Sequence, residues 1–310
     1  MNPLHFFIAV SFVFGALIGS FLNVVVWRIP RGQSVVHPPS ACPRCGHRIR
    51  PWENIPIISW LCLRGRCSGC HLPISWMYPL GEAAIGLLYA AIFCCVYYSG
   101  LHLAAVLPFW WFAGSMLSAA RIDAAHRIIP NKITYTGIIA ALAMALIVPE
   151  CRPSLAETEN ALRFGTTFTA PLMQKIAAAE LPQAMRAAAA ADVVLGIIAG
   201  TIIPGIFALI GNAFCRRRAA RTGAACAGTA LGWGDVKLMA MTGALLGAEA
   251  VVFILAGGAM LGTIYGLLRM AADPAFRKKP AVPLAPFIAV PALLWCCAGN
   301  WIYCLIAIAR

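Results

Sequence analysis

Apolar runs long enough to cross a bilayer recur along the whole 310-residue chain, and this constrains its fold more than any other feature. They fall at about residues 4–27, 79–98, 101–121, 132–148, 193–214, 236–270 and 284–308. The run from 236 to 270 is too long for one span, because 35 residues at about 1.5 Å each reach roughly 50 Å against a hydrocarbon core of about 30 Å. A break near Gly247-Ala248-Glu249-Ala250 divides it and brings the count to about eight helices. The first run lacks the basic start and small-residue cleavage site of a signal peptide, so it is read as a helix. Only 11% of residues are charged, against about a quarter in soluble domains, which excludes a soluble globular enzyme, a disordered chain and a coiled coil. The expected class is an all-α polytopic membrane protein.

The charges give the expected topology. Lys and Arg number 24 against 11 Asp and Glu, and 18 of the 24 fall in alternate loops: seven between Arg28 and Arg66, then Arg121, Arg127 and Lys132, then Arg216, Arg217, Arg218 and Arg221, and finally Arg269, Arg277, Lys278 and Lys279. By the positive-inside rule that face is cytoplasmic and both termini point outward. The net charge of +13 is then a topology signal, and no nucleic-acid partner is expected. Residues 149–192 form an outer insert with five acids, Glu150, Glu157, Glu159, Glu180 and Asp192, and read as a soluble helical addition.

Residues 28–77 are Pro-, Cys- and Arg-rich, too polar to cross a bilayer and too short for a core of their own. They contain Cys42-Pro43-Arg44-Cys45 and Cys67-Ser68-Gly69-Cys70, two C-x-x-C pairs separated by 21 residues. Two such knuckles supply the four thiolates of a tetrahedral Zn²⁺ site, and a site closed by four sulfurs leaves no position for a catalytic water. Free thiols and a redox pair are the alternatives. His47 and His71 beside the knuckles read as solvated loop residues, with Cys62 a substitute ligand only if the knuckles are arranged differently.

Acids in or beside apolar helices are functional candidates, because burying a carboxylate in hydrocarbon is costly. Four qualify: Glu82, Asp123, Asp235 and Glu249. Asp123, in Arg121-Ile122-Asp123-Ala124-Ala125-His126-Arg127, lies where the third helix leaves on the inner side. Asp235, in Gly232-Trp233-Gly234-Asp235-Val236-Lys237, lies where the sixth begins, also on the inner side. The positive end of a helix dipole points at Asp235, and the two flanking glycines admit a close backbone. Two carboxylates at one depth could share a proton and hydrolyse a peptide bond without a metal, but each could equally be a helix cap or an ion-pair partner of Arg127 or Lys237. Glu82, one turn into the second helix, could meet an incoming cation; Glu249 faces the outer side and reads as solvated.

With these residues in place, the chain resembles the bacterial prepilin peptidases, the type 4 prepilin leader peptidase and N-methyltransferase family of GxGD aspartic proteases. The resemblance runs through Gly19-Ser20-Phe21-Leu22-Asn23-Val24-Val25 with Arg28-Ile29-Pro30-Arg31, through Asn54-Ile55-Pro56-Ile57-Ile58-Ser59-Trp60-Leu61, and through Tyr78-Pro79-Leu80-Gly81-Glu82. It continues through both aspartate segments and Val282-Pro283-Leu284-Ala285-Pro286-Phe287. It implies an inner-membrane enzyme that cleaves the basic leader of type IV prepilins or type II secretion pseudopilins at the cytoplasmic face. It also implies methylation of the new N-terminus from S-adenosylmethionine. On this chain the resemblance makes Asp123 and Asp235 the catalytic pair and Cys42, Cys45, Cys67 and Cys70 the metal ligands; Gly232, Gly234 and Glu82 are read, from their positions, as substrate-positioning residues. No glycine-rich fingerprint for the methyl donor is present, so its site is unassigned.

Two features depart from the family. Asn131 stands where many members carry a second Asp, which leaves Asp123 as the acid of that segment, and the outer insert separates the aspartates further than is usual. Other readings remain: a peptidase without methyltransferase activity, a transporter that uses the aspartates as a cation or proton relay, and a zinc-bearing scaffold. The sequence implies membrane lipid as a partner and is silent on oligomeric state.

Overall fold

The structure, a computed structural model, describes residues 3–99, 101–151, 182–222, 231–278 and 282–308. It is helical, with no strand among the described residues beyond two isolated bridges, Ala41 with Arg48 and Arg66 with Pro73. The elements are α1 (Pro3–Arg28), α2 (Ile58–Cys62), α3 (Met77–Ser99), α4 (Val106–His126), α5 (Asn131–Ile147), α6 (Pro182–Thr222), α7 (Trp233–Leu246), α8 (Ala248–Ala272), α9 (Pro274–Lys278) and α10 (Ala285–Ile308). Among the described residues, five segments are long and apolar enough to span a membrane: Pro3–Arg31, Met77–Ser99, Leu103–His126, Gln183–Arg217 and Ala248–Ala272. This fits a polytopic all-α membrane protein. The other three expected spans are shorter as apolar helices: α5 has 17 residues, α7 has 14, and the described apolar part of α10 is Ala285–Cys297. Fourteen residues reach only about 21 Å.

The chain divides into two compact units, Met1–Cys95 and Val96–Arg310. In the first, α1 and α3 run antiparallel and nearly touch. A Cβ on Gly15 would lie 2.8 Å from the Tyr89 Cβ, and one on Gly19 would lie 2.9 Å from the Glu82 Cα. Small residues four apart allow this approach where lipid gives helices no hydrophobic reason to pack.

The second unit is built around α7, which is buried from Val236 to Leu246 apart from half-exposed Lys237. It packs most extensively on α6. A Cβ on Gly196 of α6 would come 1.9 Å from the Gly243 carbonyl oxygen, and one on Gly200 would come 2.2 Å from that of Met239. The expected break between α7 and α8 falls at Gly247, whose φ of 91° and ψ of 169° favour glycine.

The expected insert meets the described residues chiefly at its two ends. Residues 152–181 lie outside the described residues, but 182–192 belong to α6, which starts well before the expected residue 193. Asp192, read as a solvated acid of the insert, is 2% exposed. The run of alanines before it favours helix, so the helix extends back from the apolar span.

Candidate active site and metal centre

The polar segment of the first unit folds as two equivalent knuckles. In the first, Cys42 N–H donates to His47 O and Gly46 N–H to Cys42 O; in the second, Cys67 N–H donates to Leu72 O and His71 N–H to Cys67 O. The residue after each second cysteine is left-handed, Gly46 at φ 72° and His71 at φ 57°. The knuckles face each other. Cys42 Sγ lies 4.0 Å from Cys70 Sγ, Cys45 Sγ lies 4.0 Å from Cys67 Sγ, and all four sulfurs fall within 4.8 Å of one another. A tetrahedron with Zn–S bonds of about 2.3 Å has edges of about 3.8 Å, so the cluster could hold a metal such as zinc. Cys62 lies outside it.

N–H groups of Cys45 and Arg44 hold the Cys42 thiol down to about 6, the ionised form a metal requires. At Cys45 the His47 N–H also favours thiolate, but desolvation and hydrogen bonds to the other three thiols outweigh it and push that group up to about 11.

Sequence reasoning missed the brace across the knuckles. His47 is not a solvated loop residue. Its Nε2 lies 3.3 Å from Glu53 Oε2, and its ring packs where a Cβ on Gly69 would fall, 2.9 Å from the His47 Cβ. Glu53 also accepts the Arg50 N–H at 2.9 Å and a hydrogen bond from the Ser68 side chain, which together with His47 hold its carboxyl below the usual carboxylate range. It is the one acid among seven arginines between residues 28 and 77, a signal that was available. Glu82, expected to meet a cation, is buried and instead accepts the Ile57 N–H at 2.8 Å.

The second unit brings the two aspartate segments together. Asp123 occupies the last turn of α4 and is 6% exposed. Its Oδ2 accepts the Ala285 N–H at 3.0 Å, and the Leu284 N–H also donates to it, so the start of α10 aims two backbone dipoles at this acid. Arg127, left-handed at φ 56°, ends α4 by donating its N–H to Asp123 O at 2.8 Å.

Asp235 lies in the first turn of α7, where its Oδ2 accepts the Gly232 N–H at 3.2 Å. The two acids fall within electrostatic range of one another. Two contacts fix that approach. A Cβ on Gly234 would meet the Ile129 Cβ at 3.1 Å, and Lys237 Nζ donates to Asn131 Oδ1 at 3.0 Å. Gly232 and Gly234 thus shape the Asp235 turn and its contact with the first aspartate segment. Lys237, one of the ion-pair partners the sequence offers the aspartates, donates to Asn131, and the N–H groups at the α10 start went unrecognised because Asp123 is remote from them in sequence. Glu249 sits half-buried in the first turn of α8, at the opposite end of α7 from Asp235.

A family model described as the type IV leader peptidase family matches residues 110–267, a stretch that contains both aspartates. The chain belongs to that family. A second model, the bacterial Peptidase A24 N-terminal domain, matches residues 13–96, which contain the four cysteines and Glu82. A prepilin leader peptidase/N-methyltransferase of Pseudomonas putida is 31% identical over 98% of this chain and 94% of its own length, and one of Pseudomonas aeruginosa is 30% identical over 95% and 92%. One of Myxococcus xanthus is 34% identical over 84% of this chain, but the match spans only 62% of that longer protein. No solved structure matches the chain.

Proposed function

We propose that this chain is a membrane aspartic endopeptidase that removes the basic leader from type IV prepilins or type II secretion pseudopilins and then methylates the new N-terminus. The observation that carries the reading is the convergence of Asp123 and Asp235, from separate helices and within electrostatic range of one another. The names of the family relatives support both activities. A single proton is shared by the two carboxyl groups. The ionised one takes a proton from a water as its oxygen attacks the scissile carbonyl, while the protonated one donates to the carbonyl oxygen. Collapse of the tetrahedral diol returns a proton to the leaving nitrogen, breaks the C–N bond and frees the leader with a new carboxyl end. Neither step needs a metal. The backbone N–H groups of Leu284 and Ala285 and that of Gly232 hold the acids in place.

Cys42, Cys45, Cys67 and Cys70 hold zinc as a structural staple, which supplies folding energy where an Arg-rich segment has little core. S-adenosylmethionine supplies the methyl group for the second activity. A cavity of about 250 Å³ in the first unit is lined by Ser20, Arg28, Ser40 and Asn54 among apolar residues but offers no carboxylate for ribose hydroxyls, so it does not fit that donor and no step is assigned to it. By the inner-face bias of Lys and Arg, the protein lies in the inner membrane with the aspartates and the cysteine segment at the cytoplasmic face and both termini periplasmic. The substrate's apolar helix docks in the bilayer beside the enzyme while its leader reaches the acids.

The test is incubation of the purified protein with a prepilin and isotopically labelled S-adenosylmethionine, read by mass spectrometry. Wild type yields shortened, labelled pilin. Asp123→Asn and Asp235→Asn each lose cleavage by on the order of 10²–10⁴-fold. Normal processing by either variant would overturn the assignment, and cleavage without label would reduce the reading to a peptidase alone.

A further inference from the structure

The segment between the knuckles lies deeper along the helices than its polar surroundings suggest. Ile57 N–H is hydrogen-bonded to Glu82, five residues and about 8 Å into α3. At that level α3 lies against Gly19 of α1, as the Glu82 contact shows, while Asn23 Nδ2 reaches Tyr78 O at 3.4 Å one turn further out. Arg28, the first charged residue of α1, lies nine residues beyond Gly19, about 13 Å along the helix. Ile57 is therefore pinned beside apolar helix rather than beyond its polar end. The cost is a β-branched residue at φ 63°, ψ −52°, an uncommon conformation that the Glu82 hydrogen bond helps to maintain.

The same segment turns apolar side chains outward. Trp52 is 63% exposed, Ile55 45%, Ile58 57% and Leu61 61%, at a spacing of three residues. Internal bonds hold the stripe: Ser59 Oγ donates to Trp52 O at 2.7 Å and accepts the Ile55 N–H at 2.9 Å. Exposed aromatics flank the same helix ends, Trp27 on α1 and Trp76 and Tyr78 at the start of α3, a pattern suited to a membrane–water boundary. Exposed Arg50, Arg64 and Arg66 border the stripe, with Arg50 stacked 5.6 Å from the Trp52 ring centroid. The nearest acid, Glu53, is engaged by His47, Arg50 and Ser68. An apolar stripe edged by uncompensated arginine matches an anionic lipid surface.

We propose that Trp52–Cys62 is an interfacial anchor that seats in the headgroup–acyl boundary of an anionic bilayer, with Trp52, Ile55, Ile58 and Leu61 among the acyl chains and Arg50, Arg64 and Arg66 on lipid phosphates. The inference rests on the membrane-spanning fold and not on the peptidase reading, so its test uses no activity. The full-length protein is placed in nanodiscs of phosphatidylcholine with or without phosphatidylglycerol, prepared with brominated acyl chains that quench indoles on contact. Wild type loses more tryptophan emission than Trp52→Phe, and the difference is larger with phosphatidylglycerol. An Ile58→Ser, Leu61→Ser double variant shifts the Trp52 component to the red, while equal zinc content shows that the knuckles still fold. Identical quenching of wild type and Trp52→Phe without substrate overturns the proposal. So does a Trp52 that becomes shielded from aqueous iodide only when prepilin is added, which would make the stripe a substrate surface.

Discussion

The cysteine segment and the aspartate pair are built on opposite plans. The four cysteines lie within 29 residues, and the segment around them buries few residues, Pro56, Ser59, Gly65 and Cys67 among them. Its geometry comes from local knuckle hydrogen bonds and a donor set that could hold a metal. The aspartates come from helices far apart in the chain, and α7, which carries Asp235, is set by a crossing with α6 in which backbone meets backbone. A site made of local knuckles is legible locally and breaks locally. A packing-held site depends on residues that never touch the chemistry.

The largest effect that would sharpen this contrast is at Gly196. Its Cβ would lie 1.9 Å from a backbone carbonyl of α7, which cannot turn aside as a side chain can. Gly196→Leu therefore forces α6 from α7, at a cost of more than about 3 kcal/mol by the measure of overpacked cores. The expected result is a marked fall in thermal stability and in leader cleavage. If the purified variant keeps about one zinc per chain, the two plans are separate; loss of zinc as well would mean that one scaffold holds both sites.

Next in size is Cys67→Ser. A structural zinc site is closed by all four thiolates, so loss of one should release the metal and loosen the knuckles. Limited trypsin digestion should then cut at Arg44, Arg48, Arg64 or Arg66, which wild type resists, and metal analysis should find the zinc gone. Unchanged zinc content would break the four-ligand reading. Gly234→Ala is gentler. Its Cβ would crowd the Ile129 Cβ at 3.1 Å, a few tenths of an ångström too close, so cleavage should fall by roughly tenfold with a near-normal melting temperature.

The division between what the sequence disclosed and what it hid follows the same line. The Cys spacing and the break at Gly247 were readable because each depends on residues close in the chain. The Ala285 N–H on Asp123, the Lys237–Asn131 link and the Gly196–Gly243 crossing were not, because the partners are set by tertiary packing and no local pattern names them. Asp192 misled for a related reason: the acids around it suggested a solvated insert, while the helix carries it to a buried position. Glu82 was recognised as unusual, but its partner is a backbone N–H 25 residues back rather than an arriving cation.

Glu53 gives the smallest effect and the finest test of the local plan. Its carboxylate joins His47 of one knuckle, Ser68 of the other and the Arg50 N–H between them, so it braces the knuckles from outside the four-cysteine cluster. Because these partners hold its folded-state ionisation below the ordinary value, its contribution is present above the unfolded pKa, about 4.3, and is lost as pH falls through the lower folded value. Glu53→Gln keeps the shape and removes the charge. At pH 7 the variant should bind zinc but yield it to a chelator a few-fold faster than wild type, since solvent screens an exposed charged contact. The gap between the two proteins should narrow as pH falls toward and below the carboxylate range, where wild type also loses the charge. A gap that is constant with pH would mean that Glu53 acts through packing alone, and the brace would then be steric rather than electrostatic.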